Sequence, residues 1–265
     1  NITERLARKI NLQTSELEKC KDRDTLRIKG DLLQANLYRI QRGASSVTVE
    51  NFYDENKPME ISLNPAITPA NNVQKYYKDY RKAKTAETML TEQIKNAKEE
   101  LVYLDSVADT LDRAVSEKDL SQIRLELTEQ GYIKAQKGKQ KPPQALPPIE
   151  YTTSDGFKVL VGRNNKQNDK LTLKTARKTD LWFHTKEIHG SHTILVLDGK
   201  EPTDIAITEA AQIAAYHSKA QQSNNVPVDY TLVKNVNKPT GAKPGMVIYL
   251  TNKTAYVMPQ IPTED

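Results

Sequence analysis

Apolar positions recur along residues 73–115 at alternating steps of three and four: Val73, Tyr76, Tyr80, Ala83, Glu87, Leu90, Ile94, Ala97, Leu101, Leu104, Ala108, Leu111 and Val115. Only Glu87 breaks the series, and Lys and Glu flank it. A seam held over six heptads between charged flanks predicts a coiled-coil helix. At about 1.5 Å per residue it reaches roughly 60 Å, a length that needs a partner rather than a globular core. Residues 3–42 also read as helix. Leu6, Ile10, Leu17 and Cys20 share one face, followed by Leu33, Leu37 and Ile40, and the seam slips around Asp22–Arg27.

Between the two helical stretches lies VTVENFYDENKPMEISL, Val47 to Leu63. Its alternating, β-branched halves flank DENKP, which predicts a hairpin. Pro65 and Pro69 restart a helix with proline in its first turn. The simplest assembly is a long antiparallel coiled-coil arm over residues 1–133 with a small β-tip near 47–63. Ser116 and Asp119 form a capping pair for a third helix, with Leu120, Ile123 and Leu127 as its apolar face and Gly131 as its stop. KAQKGKQKPPQALPP, from Lys134, is basic and Pro-rich without apolar periodicity, so residues 134–149 read as a linker.

Residues 150–265 have a different texture. FKVLVG after Asp155-Gly156 predicts a hairpin, residues 168–178 a short helix, and LWFH and SHTILVL two strands. An alanine-rich helix is expected over Thr208–Gln222, and three strands in VDYTLVKNV, MVIYL and AYVMP close the chain. The fold class is therefore α+β, an arm followed by a compact α+β domain of ordinary size.

Composition agrees with an extended arm. Hydrophobic residues make up 37%, below the roughly 45–50% of a compact globular chain. The net charge of +5 permits nucleic-acid binding without demanding it. The single cysteine, Cys20, rules out a disulfide framework and fits a reducing, cytoplasmic setting. No apolar run is long enough for a membrane span, and no membrane insertion is expected. The opening NITERLARKI has neither an initiator methionine nor a signal-peptide core, so the chain is expected to be the C-terminal part of something longer.

The densest chemistry lies in DLWFHTKEIHGSH, Asp180 to His192, with the only tryptophan and three of the four histidines. His184, His189 and His192, with Asp180 as an oxygen donor, suggest zinc-like spacing. Strand alternation puts Trp182 and His184 on one face, however, while His189 falls in the turn before Gly190 and His192 begins the next strand. No HExxH helix or second cysteine is present, so no metal or other cofactor is expected. Nucleophile elbow, P-loop and dinucleotide motifs are also missing, and no catalytic residue is assigned.

Charge is more informative. Lys158, Arg163, Lys166, Lys170, Lys174, Arg177, Lys178 and Lys186 face only Asp169 and Asp180, a balance of 8 − 2 = +6 within 29 residues. A basic run beside aromatic and imidazole rings suits RNA, where phosphates take the charge and unpaired bases stack. RNA contacts are accordingly expected at Arg163, Lys166, Lys170, Lys174, Arg177, Lys178, Trp182, His184, Lys186, Ser191 and His192, with His184, Ser191 and His192 foremost. Trp182 taken alone reads more readily as core. KPTGAKPG adds Lys238 and Lys243 and backbone N–H groups suited to phosphate.

These residues resemble the NFACT family over nearly the whole chain. GDLLQANLYRI, VTVENFYDE and LNPAITPANNVQKYYKDYRKAK are similar to its coiled-coil and middle region. D-L-W-F-H with G-S-H, then TEAAQIAAYHSKA and KPTGAKPG, are similar to its C-terminal NFACT-R domain. The resemblance implies a ribosome quality control factor that binds the large ribosomal subunit, rRNA and stalk-base protein included, when it carries a stalled peptidyl-tRNA. Bacterial members recruit alanyl-tRNA, and an untemplated alanine tail grows on the nascent chain. The ribosome forms the bonds, which implies a binding protein and not an enzyme. The family's N-terminal domain, associated with tRNA selection, is missing, so this piece is expected to bind without supporting tailing. Streptococcal and staphylococcal members are often named fibronectin-binding proteins, which implies an alternative, a surface-associated adhesin for host fibronectin that accepts a strand at a sheet edge. A metalloenzyme is a distant third reading.

Overall fold

The computed structural model describes residues 2–134 and 146–262, so residues 135–145 of the expected linker lie outside the described residues. The chain divides into two compact units, residues 1–101 and 102–265, and the division falls within a single helix of 44 residues. Helices and sheets are both present, and the fold is α+β. Among the described residues no helix is long and apolar enough to cross a membrane.

In the first unit the helix expected over 3–42 is two helices, α1 (Ile2–Lys19) and α2 (Arg23–Ala35). The chain turns at residues 20–22, where the apolar seam slips. A hairpin follows, β1 (Ser46–Asn51) and β2 (Lys57–Ser62), with Ser46 opposite Ser62 and Asn51 opposite Lys57. Alternation turns Val49 and Ile61 inward to join Leu32, Leu33, Ile40, Leu63 and Val73 in one core.

The long helix α3 (Pro69–Asp112) starts at Thr68, whose hydroxyl accepts from Asn71 N at 3.2 Å. It forms an antiparallel pair with the first two helices: Tyr77 donates to Asp31 at 2.7 Å, Glu87 pairs with Arg23, and Gln93 bonds Gln13. The one polar position in the seam, Glu87, therefore holds a cation at the start of α2. Every seam position from Val73 to Leu104 is buried or half-buried. Beyond it Ala108, Leu111 and Val115 are exposed, and Tyr103, Val107 and Thr110 are buried in their place. A straight helix drifts against a seven-residue repeat, and past Leu101 α3 packs within the second unit.

That unit begins with the end of α3 and α4 (Glu117–Glu129). Ser116 Oγ accepts from Asp119 N at 3.2 Å, completing the expected cap. At the other end Tyr132 N donates to Leu127 O and Gly131 N to Thr128 O, with Gly131 at φ +80°. This crossed pair satisfies the last carbonyls and needs a left-handed residue. Leu120, expected in the apolar face, is exposed, while Glu126 is buried. Glu126 has polar partners inside, described below.

The sheet comprises β3 (Ile149–Thr152), β4 (Lys158–Val161), β5 (Leu181–Thr185), β6 (Thr193–Val196), β7 (Val226–Leu232) and β10 (Lys253–Val257), in the order β10-β7-β5-β6-β4-β3 and antiparallel throughout. Helix α6 (Asp204–Tyr216) covers one face, where Ala206, Ala210, Ala211 and Ala214 let it approach Val159, Leu181, Phe183, Leu195 and Val228. It lies earlier than the expected Thr208–Gln222. Thr203 caps it by accepting from Ala206 N at 2.9 Å, and it ends where Ser191 N takes His217 O. Of the three closing strands two join the main sheet; β9 (Ile248–Tyr249) pairs only with β8 (Val236–Asn237) in a separate ribbon.

Candidate nucleic-acid interface

Alternation along β5 divides the D-L-W-F-H motif between two faces. Leu181 and Phe183 point into the α6 core, whereas Trp182 packs on the opposite face with Leu171, Ile194, Val233 and Val236. Asp180 is neither a ligand nor a surface acid. Its Oδ1 accepts from Leu197 N at 3.0 Å and its Oδ2 from Arg177 N at 2.8 Å, while its carbonyl takes Val233 N. Three chain segments are thereby fixed around the start of β5.

The face opposite α6 carries a group of rings. The Trp182 and His184 planes are parallel within 7°, centroids 5.7 Å apart, and His192 stands edge-on to both at 5.3 and 5.7 Å. Tyr249 lies 4.9 Å from Trp182. Helix α5 (Asn165–Lys170) and the π-helical turn Leu171–Thr175 occupy the region where a helix over 168–178 is expected. Asn165, Asn168 and Thr172, spaced by three and four, present one polar edge to this group. Thr172 Oγ1 lies 2.8 Å from His192 Nδ1, and Asn168 Oδ1 accepts from His192 N at 3.2 Å. Asn165 donates to Ser106 Oγ at 3.0 Å and to Glu126 Oε1 at 3.2 Å, and Glu126 also accepts from Tyr103 at 2.8 Å. A short π segment often marks a functional site.

These groups enclose a cavity of about 290 Å³ bounded by Trp182, His184, His192, Tyr249, Asn165 and Asn168, with Gly245 of the KPTGAKPG loop on its wall. Burial, with His184 beside it, lowers the His192 pKa to about 3, and burial also lowers that of His184. His217, whose Nε2 lies 2.9 Å from Tyr151 Oη, is lowered to about 4, again chiefly by burial. The imidazoles are neutral at physiological pH. Among the described residues no Lys or Arg lines the cavity, and Glu187 is its one acidic residue. Trp182 Nε1–H is buried with no acceptor among the described residues, an arrangement that costs about 1–3 kcal/mol if left so. No three His, Cys, Asp or Glu side chains among the described residues are grouped to hold a metal ion.

The expected contact residues separate into three sets. Trp182, Ser191 and His192 are buried. Ser191 Oγ accepts from Arg113 at 3.1 Å and serves as an internal tie, so a surface role for Ser191 and His192 gives way to an internal one. His184 is half-buried at the cavity. A second set is neutralised within the fold: Arg163 pairs with Asp119 at 3.7 Å, Lys166 with Glu129 at 2.6 Å, Arg177 with Asp198 at 2.9 Å and Lys238 with Asp169 at 2.6 Å. Lys243 sits 5.6 and 5.1 Å from the Tyr103 and Tyr132 ring centres. The third set, Lys170, Lys174, Lys178 and Lys186, is exposed and forms no ion pair among the described residues. Asn165, Asn168, Thr172, Ser106 and Tyr249 join the site without being expected from the sequence. The N-N-x-x-N spacing of Asn164, Asn165 and Asn168 is the one signal that pointed to them.

Residues 1–145 match the family model "NFACT N-terminal and middle domains", and residues 148–249 match "NFACT protein RNA binding domain". The chain is 43% identical over 267 residues to the Rqc2 homolog RqcH of Bacillus subtilis (strain 168), covering 99% of this chain and 46% of that protein. It is also 43% identical over 263 residues to the Rqc2 homolog RqcH of Streptococcus suis (strain 05ZYH33), with the same coverage. It thus spans about half the length of these curated relatives. A solved structure of the C-terminal part of the fibronectin/fibrinogen-binding protein from Streptococcus suis superposes with a TM-score of 0.77 at 37% identity, covering 97% of this chain and 89% of that one. With both family models matched in sequence order, the neutral ring cavity and the free lysines lie in the RNA-binding segment, and the chain belongs to the NFACT family.

Proposed function

We propose that this chain is the RNA-contacting part of a ribosome quality control factor that works by binding, without catalytic residues of its own. The observation that carries the reading is the set of exposed, unpaired lysines, Lys170, Lys174, Lys178 and Lys186, within the segment matching the RNA-binding domain. Lysines free of internal partners can neutralise phosphates without first breaking an ion pair. The expected partners are the large ribosomal subunit and tRNA, in the cytoplasm. In the longer protein this binding would support alanine tailing of stalled nascent chains, with alanyl-tRNA as donor and the ribosome forming the bonds. The antiparallel helix pair of the first unit would act as a coiled-coil arm reaching toward the subunit's stalk base.

Sedimentation of the purified chain with large ribosomal subunits tests this. Co-pelleting at low salt that declines as salt rises is expected; no co-pelleting at low salt, or co-pelleting indifferent to salt, contradicts it.

A second reading is motivated by the structural neighbour, itself a fibronectin/fibrinogen-binding protein. β3 and β10 are the edge strands of the main sheet and offer a route to strand addition. Saturable binding of fibronectin modules that is unmoved by moderate salt would favour it.

A further inference from the structure

We propose that the ring-lined cavity of the second unit receives one unstacked nucleobase of the bound RNA, while the phosphates on either side of it meet lysines outside. This rests on the RNA-binding reading and adds which part of the RNA the cavity takes.

The absence of charge is the first reason. Among the described residues no Lys or Arg lines the cavity and Glu187 is its one acid. Arg113 and Lys238 act on His184 and His192 from outside the lining, so a phosphate inside would be desolvated without a cation in contact. A neutral group fits. Size is the second: about 290 Å³ is near the lower end of small-molecule pockets, roughly 300–1,000 Å³, and suits one planar ring system rather than a stretch of chain. Surface chemistry is the third. His184 and Tyr249, both half-buried, supply flat ring surface, with the buried Trp182 and His192 rings behind them.

The lysines complete the arrangement. Lys170 follows Asn168 by two positions and Lys186 directly precedes Glu187, so exposed cations flank the cavity along the chain. Positive charge outside and uncharged rings inside is the division by which single strands are bound, phosphates by cations and splayed bases by rings. A base stacked and paired within a duplex cannot enter.

Trp182 is the only tryptophan, so its emission reports on the cavity directly. The intact chain would be titrated with a dye-labelled single-stranded RNA of roughly eight nucleotides, and in parallel with a blunt duplex of the same sequence. RNA anisotropy and Trp182 emission would be followed together. The single strand is expected to change Trp182 emission with the same midpoint as anisotropy, and the duplex to leave emission unchanged. His184→Ala should weaken single-strand binding about five- to tenfold and spare duplex binding, and His184→Phe, which keeps a flat ring, should restore most of it. Equal binding of both RNAs with Trp182 emission unmoved would overturn the base pocket and leave the RNA-binding reading intact. Binding of neither RNA would overturn both.

Discussion

Asp180 and His192 show how far chemistry at single residues follows from neighbours distant in the chain. Both resemble metal ligands in DLWFHTKEIHGSH. Asp180 is instead occupied by two backbone amides, and His192 by Thr172 and Asn168. Alternation along β5 already separates Trp182 and His184 from Leu181 and Phe183, because a strand has a two-residue period. The asparagine wall carried only its N-N-x-x-N spacing, with no charge to mark it, and the partners of Asn165 come from α3 and α4, far away in the chain.

Two predictions belong at this scale. Thr193 is wholly buried, and its hydroxyl has no partner among the described residues. Thr193→Val, of the same shape, should stabilise the fold by about 1 kcal/mol, read as a higher urea midpoint. The second concerns pH. The His192 pKa stands at about 3 in the fold against an ordinary value of 6.5, so the unfolded chain takes up the proton first. Its contribution is fully present above pH 6.5 and is lost as pH falls toward 3. Stability should drop by roughly 2 kcal/mol on this account between pH 7 and pH 5, with His217 acting in the same direction. Glu126, raised by burial, acts oppositely, favouring the fold at low pH and losing that support as pH rises through its folded pKa. Urea titrations across this range should show a net loss toward acid, and His192→Gln should make the dependence shallower. An unchanged pH slope in that variant would contradict the assignment.

At the scale of elements, the α3 seam was readable through Leu104 because one repeat governs one packed face. The change to Tyr103, Val107 and Thr110 was not, since it depends on which unit the helix packs in. The cap at Ser116 and the stop at Gly131 were readable because both are local. The shift of α6 reflects Thr203, a stronger start signal than the alanine pattern that follows it. Gly30 in α2 gives a test in which two local effects oppose each other. Helix propensity alone favours Gly30→Ala by about 1 kcal/mol. A Cβ there would stand 2.9 Å from the Tyr77 ring, whose hydroxyl is bonded to Asp31. The substitution should therefore destabilise the first unit, by about 1–2 kcal/mol, seen as earlier loss of helical circular dichroism on heating. A gain in stability would show that Tyr77 gives way freely.

Over the whole molecule, the +6 run overstates what RNA would meet, because Lys158, Arg163, Lys166 and Arg177 are paired with acids of the fold. The sequence displayed the run but not its pairing, which depends on Glu150, Asp198 and, from α4 before the linker, Asp119 and Glu129. Lys170, Lys174, Lys178 and Lys186 are left to act outward. Being exposed and unpaired, they should tolerate substitution without loss of the fold, which thermal melting of a variant with all four changed to Glu would check. The most direct test of RNA binding is the salt dependence of single-stranded RNA affinity for the chain and that variant. At about 0.7 in log–log slope for each phosphate neutralised, the variant should bind more weakly with a slope shallower by about 3. An affinity and slope equal to those of the unaltered chain would contradict the account.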